Sequence, residues 1–188
     1  MKTAKRSTLI KASVQVVAKR GFHGASLRVI TDQAGVSVGS VFAHFEGKEQ
    51  LILETYKELE RRCLAAVIKD YPSQGTIRQR FTHLADRLSH HLILSPEEFR
   101  FADQFLSSPY RKLVSPLYLP EPELSVILQL FREGTEKGLF KTMPPAMLLA
   151  LACGPLIQVV RSNAAGHLRM NDEHIPLIIE ACWETISL

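Results

Sequence analysis

The stretch from Ser26 to Leu51 constrains the chain most. It reads S-L-R-V-I-T-D-Q-A-G-V-S-V-G-S-V-F-A-H-F-E-G-K-E-Q-L. A serine hydroxyl satisfies an orphan N–H at a helix start, so Ser26 predicts a helix over Leu27 to Ala34. Leu27, Ile30 and Ala34 then share one face. Gly35 adopts the left-handed conformation that ends a helix, and Val36 is the buried residue of the turn. Ser37 is expected to cap a second helix over Val38 to Phe45, with Val41 and Phe45 inward. Two short helices around a glycine-containing turn make a helix-turn-helix. In that motif the second helix enters the DNA major groove while the first crosses the backbone.

Charge points the same way. The chain carries +4 overall, but residues 1–48 hold eight Lys and Arg against Asp32 and Glu46, a local +6 that leaves −2 for the remainder. A basic quarter on a slightly acidic body suits phosphate binding, whose sequence-independent part is Coulombic. Charge alone fits a solvated helix surface equally well; the superimposed helix-turn-helix decides between them.

The run from Arg6 to Leu53 resembles the DNA-binding domain of the TetR (TetR/AcrR) family of transcriptional regulators. The resemblance rests on Ile10, Ala12, Gly21-Phe22, Ser26-Leu27, Ile30, Ala34-Gly35-Val36-Ser37, Gly39-Ser40, Phe45 and Lys48-Glu49-Gln50-Leu51. It implies an all-α protein of about nine helices. A helix-turn-helix DNA-binding domain would occupy residues 1–48, and a ligand-binding and dimerisation domain residues 49–188. Beyond Leu53 the likeness is one of layout.

Carried over position by position, the resemblance makes Arg28 the candidate for base readout, because guanidinium can grip guanine bidentately. Ser37, Val38 and Ser40 fall in the first turn of the reading helix, with Val38 suited to a thymine methyl. Ser26 and Lys48 are phosphate candidates, the latter at a positive helix end. Phe42 stands where the family usually has tyrosine, so a phosphate hydrogen bond is lost. Ala43 is small where larger residues are common. His44 is a further phosphate candidate, or equally a surface histidine near the core.

The rest reads as helices. Leu9, Ile10, Val14 and Val17 form a stripe on a first helix over about Ala4 to Arg20, stopped by Gly21. A longer helix runs from Lys48 to about Lys69, its front serving the DNA-binding head and its back the larger domain. Asp70 to Gly75 breaks the chain. Helices follow over Thr76–Leu92, from the start signal Ser95-Pro96-Glu97-Glu98, and over Glu123–Lys137. The three prolines between Tyr110 and Pro122 predict loop or a single helical turn. Met147 to Arg161 is apolar almost all round, which calls for cover on several sides and hence a partner subunit. Gly154-Pro155 is expected to kink it. With the last helix, Asp172 to Ile186, it resembles the pair that builds a four-helix homodimer interface. Its candidates are Leu156, Val160, Ile175, Ile178, Ile179, Cys182, Trp183 and Ile186.

Several classes are excluded. No Gly-rich phosphate loop, nucleophile elbow or Cys–His pattern is visible, so neither an enzyme nor a cofactor is expected. His90-His91 point about 100° apart on a helix and make no metal clip. Three scattered cysteines oppose a disulfide framework and fit a reducing cytoplasm. The longest apolar run, Ala146 to Val160, is broken by Gly154-Pro155 and Gln158, so no membrane span is expected. The function expected is a dimeric repressor that leaves a palindromic operator when a small apolar or amphipathic effector binds. Phe81, His83, Phe99, Asp103, Tyr110, Gln129 and Gln158 are candidates to line that effector's pocket. The alternative is an architectural or protein-partnered regulator of the same fold without a ligand.

Overall fold

The computed structural model describes residues 2–114 and 122–188. Among them are nine α-helices: α1 (Lys2–Gly24), α2 (Leu27–Ala34), α3 (Gly39–Phe42), α4 (Lys48–Ile68), α5 (Ile77–Leu94), α6 (Pro96–Leu106), α7 (Glu123–Glu136), α8 (Pro145–Ala164) and α9 (His174–Ile186). A 3-10 turn, Pro109–Leu113, follows α6. No strand occurs among the described residues, and a single antiparallel bridge pairs Phe140 with Ser187. The all-α expectation holds. The segment expected as loop between Tyr110 and Pro122 begins inside the 3-10 turn; its part over 115–121 lies outside the described residues.

The chain forms two compact units. The first joins Met1–Arg61 to Ser95–Tyr118, and the second joins Arg62–Leu94 to Leu119–Leu188. The division expected between residues 48 and 49 therefore falls at the first turn of α4, and the first packing unit continues well past it.

In the first unit the stripe on α1 is buried as expected, with Leu9, Ile10, Val14 and Val17 packed among Ile30, Val41, Phe45, Leu51 and Ile52. Helix α6 adds Phe101 and Phe105 to the same core. Phe22 meets Phe101 edge-on at 5.5 Å, and Tyr56 stacks on Phe105 at 4.1 Å. Aromatic pairs in these geometries contribute beyond their buried area. The proline at the start of α6 and its two acids set the helix N-terminus, but the Ser95 side chain makes no cap hydrogen bond.

In the second unit α8 packs on α9, and α5 packs on α7, α8 and α9. Trp183 is edge-on to Phe81 at 5.3 Å and to Phe140 at 5.2 Å. Helix α5 opens with a capping box that the sequence reading missed. The Gln79 N–H donates to Thr76 Oγ1 at 3.2 Å, and Gln79 Oε1 accepts from the Thr76 N–H at 2.9 Å. Helix α7 ends at Gly138, whose φ of +64° is left-handed. Gly134, buried inside α7, faces the Phe140 ring so closely that a Cβ would sit 2.1 Å from Cδ2.

Eight residues of α8 and α9 are expected at a dimer interface. Six of the eight residues assigned to the dimer interface, Leu156, Val160, Ile175, Ile179, Cys182 and Ile186, are buried within the chain's own second unit. Ile178 and Trp183 are half-buried, and Trp183 packs on Phe81 and Phe140. Helix α8 has 20 residues, and its most apolar 18-residue window has a mean hydropathy of 1.4, which the core helix of a soluble protein also reaches. It continues through Pro155, and its Leu148, Ala152, Leu156 and Val160 are core residues of the second unit.

Candidate nucleic-acid interface

The reading head is assembled by local rules. Gly21, at φ +67° and ψ +173°, breaks α1 in a conformation open in practice only to glycine, and Phe22 turns into the core. The Ser26 hydroxyl then accepts from the Val29 N–H at 3.3 Å and caps α2. Thr31, buried, donates to the Arg28 carbonyl at 3.0 Å, which pins the backbone beneath the Arg28 side chain. Gly35 sits at φ +65°, and its N–H and that of Val36 close on the Asp32 and Thr31 carbonyls. The predicted cap and the predicted left-handed stop are both present.

Helix α3 departs from expectation. It spans only Gly39–Phe42, and Val38, already helical, precedes it without a side-chain cap. The Ser37 hydroxyl instead faces the Ser40 hydroxyl at 3.2 Å. Val41 and Phe45 are buried as expected, anchoring the helix from below. Val38, just before the helix, is 40% exposed and Phe42, on it, 60% exposed.

Lys48 opens α4 with its ammonium donating to the Phe22 carbonyl at 2.9 Å and lying 5.9 Å from the Tyr110 ring centroid. Arg6 pairs with Glu54 at 3.0 Å and lies over the Phe45 ring, bracing α1 against α4. Arg28 is exposed, and among the described residues nothing holds its guanidinium. All eight residues expected to meet DNA lie in the first unit. Ser26, Arg28, Ser37, Val38 and Phe42 are exposed, whereas Ser40, His44 and Lys48 are half-buried. The His44 ring stands edge-on to Phe45 at 6.3 Å. Together they offer hydroxyls, one free guanidinium and apolar side chains, the groups that read and grip a duplex.

The residues expected to line an effector pocket are divided between the two units. Phe99, Asp103 and Tyr110 belong to the first unit; Phe81, His83, Gln129 and Gln158 belong to the second. Phe81 is buried against Trp183, and His83 Nε2 is 2.9 Å from the Lys69 carbonyl. Gln129 and Gln158 are exposed and bond to Glu133 and Arg161 on their own helices. Tyr110 lines an open groove of about 610 Å³ in the first unit, whose walls also include Phe22, His23, Lys48, Glu49 and Lys112.

The second unit also holds a part-buried ionic cluster that the sequence did not announce. Arg80, buried, donates to Glu133, which also accepts from Gln129 at 3.1 Å. The Arg80 hydrogen bond holds the Glu133 carboxyl below its ordinary range, and burial pushes the Tyr71 phenol up against the pull of Arg80. Burial likewise raises the Cys153 thiol to about 12, with the neighbouring cysteines adding to the effect.

Two family models together cover most of the chain. Residues 9–55 match the model described as bacterial regulatory proteins, tetR family, and residues 56–188 match a tetracyclin repressor-like C-terminal domain. The chain belongs to the TetR family. It is a DNA-binding transcriptional regulator and not an enzyme. A TetR-family regulator from Marinobacter aquaeolei VT8 superposes with a TM-score of 0.86 at 26% identity, covering 98% of this chain and 96% of that one. The fatty acid degradation regulator FadR from Bacillus halodurans shares the fold, with a TM-score of 0.80 at 20% identity over 95% and 94% of the two chains. Among curated proteins, the regulator BetI of Vibrio campbellii is 39% identical over 74 residues, 39% of this chain and 37% of BetI. The fatty acid metabolism regulator of Bacillus subtilis is 29% identical over 79 residues, 42% of this chain and 41% of that protein. The chain thus matches only about two fifths of the length of these curated TetR-type relatives.

Proposed function

We propose that this TetR-family chain is a cytoplasmic repressor that binds a palindromic operator as a two-fold dimer and leaves it when a small apolar or amphipathic effector binds. Recognition falls to Arg28, Ser37, Val38, Ser40 and Phe42 in the groove, with Ser26, His44 and Lys48 on phosphates. The observation that carries the reading is the combination on α2 and α3 of a free arginine with two exposed apolar side chains. Phe42 is 60% exposed, and such a ring suits a major groove lined with thymine methyls.

The dimer face lies on the outward side of α8 and α9. Met147 and Leu151 are 53% and 39% exposed on α8, Leu177 is 67% exposed on α9, and Gly154 leaves open space for a close approach. The apolar all-round character of α8, only 22% of whose most apolar window is buried within the chain, supports a second copy as its cover. Effector response has its natural route in α4, one continuous helix whose first residue is Lys48 and whose last turns belong to the second unit. An effector releases DNA only if it prefers the non-binding state, since equal affinity for both states shifts nothing.

The test is selection of duplexes from a random pool, followed by a compound screen for thermal stabilisation with DNA release as readout. The expected outcome is an inverted repeat, two chains per site, and compounds that both raise the melting temperature and release the duplex. Stabilising compounds that leave the complex intact would point to a regulator without an inducer.

A further inference from the structure

Lys48 does not stand alone at its end of the first unit. The groove of about 610 Å³ beside it has Phe22, Pro109, Tyr110 and Leu113 as its apolar floor, and His23, Lys48 and Lys112 on its walls. Lys112 comes from the 3-10 turn, more than sixty residues after Lys48 in sequence. That turn is firmly held. Ser108 caps it by accepting from the Tyr110 N–H at 3.2 Å, the Tyr110 ring lies 4.9 Å from Phe22, and Val114 is buried just after it. The carbonyl that receives the Lys48 ammonium is that of Phe22. The aromatic cluster that seats Lys48 therefore seats the basic turn as well.

The charges in this unit are sorted. Arg6, Lys57 and Arg61 are each paired with a glutamate on α4. Arg111 and Lys112 are exposed, and among the described residues no carboxylate pairs with either. The first unit carries thirteen Lys and Arg against nine Asp and Glu, and the second ten of each, so the whole +4 resides in the unit that holds the reading head. Glu49 is the acid among the groove's lining residues.

We propose that the 3-10 turn is a second DNA contact, in which Lys112, with the His23 imidazole of the same groove, binds a backbone phosphate flanking the half-site gripped by Lys48. The proposal rests on the DNA-facing role assigned to Lys48 above. Its chemistry is that of a phosphodiester oxygen accepting from an ammonium and an imidazole N–H, a contact that adds affinity and carries no base information. A segment within the part of the chain matched by the C-terminal family model would thus share in operator binding.

Fluorescence anisotropy of the full chain on its selected duplex, measured from low to moderate salt, tests this. Neutralising one phosphate contact lowers the slope of log affinity against log salt by about 0.9, so Lys112→Gln should flatten the slope by about one unit. Affinity should fall about three- to tenfold at moderate salt, with the base preference and melting temperature unchanged. Lys112→Arg should restore binding, and Glu49→Gln should strengthen it. A Lys112→Gln slope equal to that of the parent chain, while Lys48→Gln flattens it, would overturn the proposal and leave the DNA-facing role of Lys48 standing. Unchanged slopes for both variants would overturn the two assignments together. Loss of base preference in Lys112→Gln would also sink it, because phosphate contacts carry none.

Discussion

The two units treat their charged residues in opposite ways. In the first, ion pairs brace the frame, as between Arg6 and Glu54, while Arg28, Arg111 and Lys112 are left exposed and the unit holds a net +4. In the second, charges balance, and buried Arg80 donates to half-buried Glu133, with Gln129 and Tyr71 beside the pair. Surplus charge on a surface attracts a polyanion, whereas charge consumed inside a fold fixes that fold. The contrast says where each unit's chemistry faces: outward to a duplex in one, inward to its own packing in the other.

The largest expected effect breaks the second unit alone. A methyl at Gly134 would sit 2.1 Å from the buried Phe140 ring, and that ring is itself wedged between Phe131 and Trp183. Overpacking of this kind costs about 3 kcal/mol or more when the neighbour cannot yield. Gly134→Ala should lower the melting temperature by several degrees while the helix-turn-helix still forms. A variant as stable as the parent by thermal unfolding would show that Phe140 is free to move.

Next in size is the ionic cluster. Removing Arg80 takes away a charge-assisted hydrogen bond to the half-buried Glu133 and costs about 1.5–3 kcal/mol. Arg80→Met should therefore destabilise more than Arg61→Met, because the Arg61 side chain is 61% exposed and that of Arg80 only 10%. The pH dependence has a definite sign. Because the folded Glu133 carboxyl is held below its unfolded value, its contribution is complete above the ordinary carboxylate range and is lost as pH falls through the depressed folded value. Urea titrations from neutral pH down to about pH 3 should show that loss in the parent chain and a smaller one in Glu133→Gln.

These two units were unequally legible in the sequence for a physical reason. Caps and stops are written locally, so Ser26, Gly35 and the start of α4 at Lys48 were readable and stand as expected. Ser37 looked equally like a cap, yet its hydroxyl turns to Ser40, because a helix of four residues leaves little to cap. What a buried face packs against is not local information. Helical spacing on α8 and α9 marked Leu156 and Ile179 as apolar and inward, and was silent on whether inward meant this chain or a partner. The enrolment of α6 into the first unit depends on Phe22, Phe101, Tyr56 and Phe105 meeting across some eighty and fifty residues of chain. That is also why Lys112 escaped notice as a neighbour of Lys48, while the Thr76–Gln79 capping box was a local signal simply passed over.

Returning to the outward-facing unit, Arg28→Ala should relax base preference. A good bidentate arginine contact is worth about 1–3 kcal/mol of discrimination, or roughly five- to a hundredfold between the selected and the altered base. Competition assays on duplexes varied one position at a time will read it. Equal selectivity without Arg28 would move base recognition onto Val38, Ser40 and Phe42.

The smallest expected effect separates grip from reading at a single ring. Phe42 projects from α3 with most of its surface exposed, at the position where TetR-like chains commonly carry a tyrosine. Phe42→Tyr adds a hydroxyl with nothing to displace, so stability should be unchanged. If the ring edge faces the backbone, the hydroxyl gains one hydrogen bond to a phosphate oxygen, worth about 0.5–1.5 kcal/mol, a few-fold in affinity. That gain should be the same on selected and random duplexes, since phosphates are alike everywhere. If the ring instead lies against thymine methyls, the hydroxyl meets an apolar surface, and selected duplexes lose affinity while random ones do not. Replacing thymine by deoxyuridine in the selected site would then weaken the parent chain at the same positions, and the pair of measurements fixes which way the ring faces.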